Sequence, residues 1–235
     1  SEIEFENIAL HIFKFQYHHC AVYKKFCDLL KVSVDKICKI EDIPFLPIQF
    51  FKTHQIKSAE FLEEKIFTSS GTTDILTSKH FIKELNLYET SFLKTFESFY
   101  PNWEKSTIVG LLPSYLERSG SSLIYMVNYF IKHSKSDHSK FQLELTPEFL
   151  DFLVFDQSPK IMFGVTFALL ELAKKGIKPR NTIIIETGGM KGRGKEITRQ
   201  QLHETLKYSL SPKEIHSEYG MTELLSQSYL QEDYF

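Results

Sequence analysis

The chain reads as an α/β protein built on a twisted, largely parallel sheet with flanking helices. Three observations predict this class. Short apolar runs rich in β-branched residues, at 107–112, 160–163 and 182–185, have the length of buried strands. Longer stretches between them place apolar residues at helical spacing. The two kinds alternate along the chain, the pattern of helices laid over a parallel sheet.

Taken in order, residues 5–30 carry Phe5, Ile8, Ile12, Phe15, Val22, Phe26 and Leu29 with polar residues between, which predicts an amphipathic helix. Cys20 and Cys27 share a face of that helix and pack there as small hydrophobes. His18, His19 and Cys20 have no second ligand pair nearby, so they do not read as a metal site. Residues 43–47, with Pro44 and Pro47, form an extended connector, because each proline biases its predecessor away from helix. A strand-like run at 64–67 follows, then a helix over 81–99 with apolar positions 81, 85, 88, 92, 96 and 99. Further helices are expected at 122–132 and at 165–175, the latter ended by Gly176 and Pro179. Thr198 with Gln201 three residues on makes a capping box that opens a helix through 208. A strand at 213–217 and a short helix through 229 complete the reading, with no linker, repeat or low-complexity tract to divide the chain.

Composition sets the outer limits. The 235 residues, 42% hydrophobic and 25% charged, are those of an ordinary globular protein able to bury a core. The net charge of −2 and the lack of a basic stripe argue against nucleic acid as a partner. The longest uncharged run, residues 119–131, falls short of the roughly 20 apolar residues that span a bilayer. The acidic start has no basic n-region, and three cysteines cannot pair completely, so a reducing cytoplasm is expected.

Three loops carry the chemistry. In the first, Thr68, Ser69, Ser70, Thr72 and Thr73 crowd hydroxyls around Gly71, a turn whose donors can wrap phosphate oxygens. By composition alone it is equally a solvated surface loop. The second follows the run at 182–185: Glu186, Thr187, Gly188, Gly189, Met190, Lys191, Gly192, Arg193, Gly194 and Lys195. Gly189, Gly194 and Lys195 match the phosphate-loop spacing, but Glu196 stands where a Ser or Thr should bind magnesium. The third is Glu218, Tyr219, Gly220, Met221, Thr222 and Glu223. There Thr222 offers a hydroxyl to a phosphate, Glu223 a hard oxygen to Mg²⁺, Gly220 close backbone approach and Tyr219 an aromatic face for a base. Taken singly, this segment is also an ordinary helix entrance.

In this order the three loops resemble the adenylate-forming superfamily of acyl ligases. The surrounding runs FTSSGTT, LLPSYLERSGSSLIYM, IMFGVTFALL, ETGGMKGRG and IHSEYGMTELLSQ resemble its acyl-protein synthetase branch, which includes the fatty-acid-activating subunit of the bacterial bioluminescence aldehyde complex. The resemblance runs from residue 43 to 227. It implies the fold of the large N-terminal, ATP-binding domain of such enzymes over residues 1–235. It also implies ATP-dependent activation of a carboxylic, here fatty, acid to an acyl-adenylate, then transfer to a protein or small-molecule thiol, with an acyl reductase or carrier protein as candidate acceptors. By the same resemblance Ser69, Ser70, Gly71, Thr72 and Thr73 grip the β- and γ-phosphates, and Gly188, Gly189 and Met190 line the adenine and acyl pocket. Tyr219, with Gly220 and Met221, packs on the adenine; Thr222 meets the α-phosphate and Glu223 binds Mg²⁺, the two catalytic residues of the set.

The sequence departs from the superfamily in places. Asp74 replaces the glycine after the paired threonines, and Lys79 is the one candidate for the loop lysine. The central histidine of long acyl-CoA ligases is absent, its neighbourhood holding Tyr115, Glu117 and Arg118. The chain ends at Phe235, before the family's hinge and small C-terminal domain, so a fragment is expected. Two rival readings stand beside this one: a phosphate-loop NTPase using Gly189 to Lys195, and a non-catalytic nucleotide- or acyl-binding module.

Overall fold

The computed structural model describes residues 2–69, 76–112, 120–189 and 197–231. They form two compact units, Ser1–Leu85 and Asn86–Phe235. No proline- or glycine-rich stretch marks the boundary, which falls in the first turn of a helix; composition therefore shows no seam there.

The first unit opens with α1 (Glu2–His19) and α2 (Ala21–Leu29) where one helix was expected. Cys20 separates them, its backbone extended at φ −108° and ψ 103°. Cys20 and Cys27 are buried with Phe13, Tyr23 and Ile43, and the Tyr23 hydroxyl donates to the Pro44 carbonyl at 2.9 Å. The expected stripe divides unevenly: Val22 and Phe26 pack on this core, while Phe5, Ile8, Ile12 and Phe15 are about half exposed or more. A core built on so few residues cannot cover every apolar side chain. An open apolar groove of about 430 Å³ runs along that face of α1, with Phe45 and Phe51 also lining it.

After the short α3 (Phe50–Thr53) come β1 (Lys65–Thr68) and β2 (Lys79–Ile82), paired antiparallel with Lys65 opposite Ile82 and Thr68 opposite Lys79. The helix expected from residue 81 therefore begins later, as α4 (Leu85–Phe99). Pairing with β1 claims Phe81 for a strand. Glu64 then fixes the corner, its backbone N–H donating to the Ile82 carbonyl and its carboxylate accepting from the Leu85 N–H at 2.7 Å.

The second unit holds a six-stranded sheet. Its strands are β3 (Thr107–Leu111), β4 (Lys140–Phe141), β5 (Lys160–Gly164), β6 (Thr182–Glu186), β7 (Glu214–Gly220) and β8 (Gln227–Leu230), in the order β4-β3-β5-β6-β7-β8. All neighbours are parallel except β7 and β8. This is the expected α/β class. Helices α5 (Ser122–His133), α6 (Pro147–Phe155), α7 (Thr166–Ala173) and α8 (Arg199–Leu210) make the crossovers, and both hydrogen bonds of the Thr198–Gln201 capping box are present.

The two faces of the sheet differ. On one, α4 and α5 bury a stack of rings in which Phe96 lies 4.1 Å from Phe130 and 5.8 Å from Phe163 of β5, centroid to centroid. Phe92, Phe96, Phe130 and Phe163 are thus used as core. On the other face Gly164 ends β5 under Leu169 of α7, where an added Cβ would lie 2.6 Å from a Leu169 methyl. Only glycine admits that close approach.

At the opposite end of β5, Lys160 is buried. Its ammonium donates to the carbonyls of Asp156 (2.7 Å) and Ser158 (2.9 Å) and pairs with the Asp156 carboxylate at 2.9 Å. A hydrogen bond from Ser158, with help from Lys160, holds the Asp156 carboxyl down at about 2. Lys160→Met keeps the volume but leaves those acceptors unpaired, so urea unfolding should show a loss of about 3–5 kcal/mol. An unchanged midpoint would mean that water replaces the ammonium.

Candidate active site

The strand order changes direction between β3 and β5, and ligands of such open α/β sheets bind beyond the carboxyl ends of the strands. Two of the three loops lie at that end of the second unit. Glu186 of β6 pairs with Ser217 of β7, so the segments that leave these strands start side by side. After β6 the backbone turns through Gly188 (φ +73°) and Gly189 (φ +95°), left-handed conformations that suit glycine. Thr187 anchors the turn to β5, its N–H donating to the Gly164 carbonyl at 3.0 Å.

Tyr219 and Gly220 are the last residues of β7. Met221, Thr222 and Glu223 follow, with the Leu224 N–H closing a turn on the Met221 carbonyl at 3.1 Å. The helix expected through 229 is instead β8, which returns antiparallel and sets Gly220 opposite Gln227 and Ser217 opposite Leu230. Pairing with the exposed edge of β7, together with burial of Tyr229 and Leu230, overrides the capping tendency of Thr222. The motif is therefore a hairpin tip. Tyr219 presents an exposed ring with its hydroxyl donating to the Met221 sulfur at 3.1 Å, while Thr222 and Glu223 are half-buried.

Beneath the tip lie charged groups that sequence reasoning assigned no role. Glu186 is buried; one of its oxygens accepts from the Gly188 N–H at 2.9 Å and the other from the Ser217 hydroxyl at 2.7 Å. His203 of α8 bonds the Ser217 oxygen at 3.1 Å. Burial opposes ionisation of Glu186, but His203, whose Nε2 lies 3.9 Å away, and the bonds from Ser217 and Gly188 outweigh it and leave the carboxyl below its ordinary range. On the other face of β7, burial and the negative charge of Glu186 push Glu218 up to about 8. Tyr88 and Tyr229 crowd that face, both hydroxyls raised by burial and by Glu218. The one signal in the sequence was an acid at the end of an apolar run just before Gly188; nothing in it joins that acid to His203.

Of the first loop, Ser69 is described, in the first unit. Its N–H donates to the Ser78 carbonyl at 3.1 Å and its hydroxyl accepts from the Ser78 N–H at 2.9 Å, extending the β1–β2 ladder by one pair. Lys79 is exposed at the start of β2. Ser70, Gly71, Thr72, Thr73, Asp74, Tyr115, Glu117, Arg118, Met190, Gly194 and Lys195 lie outside the described residues. The phosphate-loop alternative meets a difficulty nonetheless: α8 is capped by Thr198, whereas a phosphate loop places its lysine at the helix entrance. Among the described residues no three His, Cys, Asp or Glu side chains gather as a metal centre, so a cation at Glu223 would share one carboxylate with the ligand's own oxygens.

Residues 1–87 match the family model of the acyl-protein synthetase LuxE. A long-chain-fatty-acid–luciferin-component ligase of Photorhabdus luminescens is 39% identical over 71 residues, a stretch that is 30% of this chain and 60% of that relative. The crystal structure of a 2-hydroxyisobutyryl-CoA ligase, in its postadenylation state with 2-HIB-AMP, superposes with a TM-score of 0.58 over 92% of this chain. At 9% identity that likeness concerns the fold alone. The chain spans about half of the ligase, 47% of its length. The acyl-protein synthetase match thus lies in the first unit, while the two glycine-bearing tips lie in the second.

Glu218 makes the pH dependence of stability testable. Its folded pKa of about 8 exceeds the ordinary 4.5, so the folded protein keeps a proton that the unfolded chain has lost. Stability from this group is full below the ordinary value and is lost as pH rises through about 8. Thermal melts should fall from about pH 6 to about pH 9 in the native protein and fall less in Glu218→Gln, which stays neutral. Parallel curves for the two would show that Glu218 ionises as freely as a surface carboxylate.

Proposed function

We propose that this chain is the ATP-binding domain, over residues 1–235, of an acid–thiol ligase that activates a fatty acid as its acyl-adenylate. The observation that carries the reading is the β6–β7 register, which sets the Gly188–Gly189 turn beside the Tyr219-to-Glu223 tip at the ligand-binding end of an adenylate-ligase-like sheet. The acyl-protein synthetase match and the fatty-acid ligase relative support the choice of acid. The donor set fits a nucleotide: a Gly188 that no described side chain or backbone crowds, an exposed ring at Tyr219, a hydroxyl at Thr222 and a hard oxygen at Glu223.

In this reading Ser69, Ser70, Gly71, Thr72 and Thr73 hold the β- and γ-phosphates by hydroxyl and backbone donors. Gly188, Gly189 and Met190 line the adenine and acyl pocket, Tyr219 stacks on the base, and Gly220 and Met221 bring backbone alongside. Mg²⁺ bound at Glu223 supplies charge neutralisation to the phosphates. A carboxylate oxygen of the acid bonds to the α-phosphorus as the bond to pyrophosphate breaks. Thr222 donates to the α-phosphate, where charge builds in the transition state. A thiolate then attacks the acyl carbonyl and AMP leaves. The acceptor is a cysteine of an acyl reductase or the thiol of a carrier protein, in a cytoplasm that keeps it reduced. Cys20 and Cys27 are buried and unsuited to that role.

Pyrophosphate exchange into ATP should depend on added carboxylate and rise toward long-chain acids across a panel of chain lengths. Nucleotide hydrolysis indifferent to every acid would overturn the reading and favour the phosphate loop, as would a tenfold loss of ATP affinity on Lys195→Ala. Glu223→Gln should leave the melting temperature within a few degrees and weaken ATP binding roughly tenfold or more in Mg²⁺ alone. Full stabilisation of that variant by Mg·ATP would remove the metal role.

A further inference from the structure

We propose that Glu186 is a positioning residue that clamps the Gly188–Gly189 turn and ties it to the strand bearing Tyr219, Thr222 and Glu223. This goes beyond the proposed function, which gives Glu186 no part, and rests on it only for the identity of the nucleotide. Three facts carry it. First, a Cβ on Gly188 would meet nothing within 4 Å among the described residues, and the described fixings of the turn are hydrogen bonds. They run from the Thr187 N–H to the Gly164 carbonyl and from the Gly188 N–H to Glu186 at 2.9 Å.

Second, the same carboxylate reaches the neighbouring strand. Ser217 donates to its other oxygen at 2.7 Å, two residues before Tyr219. One side chain therefore fixes both the turn after β6 and the end of β7. Third, the direction of the bonds is determined. A carboxylate only accepts, so the Ser217 proton points to Glu186 and the Ser217 oxygen receives the Nε2–H of His203 at 3.1 Å. Ser217, 2% exposed and with its proton committed to Glu186, is no nucleophile despite its His and Glu neighbours. The chain from His203 through Ser217 to Glu186 fastens α8, β7 and the turn in one line.

Glu186→Gln tests this. The amide keeps the size but turns one acceptor into a donor, which must face either the Gly188 N–H or the Ser217 hydroxyl. Two readouts are taken well below the melting temperature: hydrogen exchange at individual amides in the free protein, and calorimetric titration with ATP. The expected result is faster exchange at Gly188 with Ile184 and Ile215 unchanged, and ATP binding weaker by about tenfold, the size of a lost charge-assisted bond. Ser217→Ala, which removes the hydroxyl between Glu186 and His203 but leaves the bond from Gly188 to the carboxylate, should weaken ATP by about threefold and serves where Glu186→Gln folds poorly. Unaltered Gly188 exchange overturns the clamp. So does exchange that quickens across the whole sheet, which would make Glu186 a general stability residue, or native ATP affinity with a loosened turn. Should the native protein not bind ATP, the proposed function fails, while the Gly188 exchange still decides whether Glu186 holds the turn.

Discussion

The parallel register of β6 against β7 is the constraint on which the site depends. Side chains alternate along a strand, so a slip of one residue would send Glu186 and Ser217 to opposite faces. The buried carboxylate would then lose the hydroxyl that satisfies one of its oxygens. The same slip would lift His216 away from Tyr100, whose hydroxyl lies 2.9 Å from its Nδ1 on the other face. Both faces of β7 thus specify one pairing, and that pairing sets the two loop tips side by side. A site made of two loops is only as well defined as the strands that carry them.

The two faces also give two carboxylates opposite characters. Glu186 is surrounded by donors and stays ionised although it is buried. Glu218, on the aromatic face, is pushed up to about 8. The charge on Glu186 raises Glu218 further, so one negative charge near the tips is fixed and a second is suppressed at neutral pH. The charge on Glu186 is met by bonds from Gly188 and Ser217, so neither of these two strand carboxylates leaves an uncompensated charge beside the tips at neutral pH.

How much of this was legible in the sequence varied by kind of element. The buried strands were read well because β-branched runs such as Ile183, Ile184 and Ile185 have no competing helical pattern. The capping box at Thr198 is legible because its partners lie three residues apart in a local, self-sufficient motif. What failed were elements decided by distant partners. Phe81 fits a helical stripe, yet β1 takes it into a strand; Tyr229 follows a plausible helix entrance, yet β7 pairs it. The glycines and the Tyr219-to-Glu223 segment were visible as loops. The Glu186–Ser217–His203 line was not, because its members stand on three separate elements and no spacing relates them.

Sequence likeness reaches over a smaller part of the chain than fold likeness does, and the physics of parallel sheets accounts for it. The acyl-protein synthetase match covers residues 1–87, while 92% of the chain superposes on a ligase with which it shares 9% identity. Strands buried on both faces ask only for apolar, preferably β-branched side chains of suitable volume, and many sequences meet that demand. Residues 161–163 and 183–185 carry no information beyond it. The information about chemistry sits where each strand ends and the backbone must turn, at Glu186, Gly188 and Gly189 and at Tyr219 through Glu223. There the requirements are positive φ, an acceptor for a backbone N–H, a hydroxyl and a carboxylate, and few residue types satisfy each. The sheet identifies the class of protein, and its edges carry the argument for what the protein does.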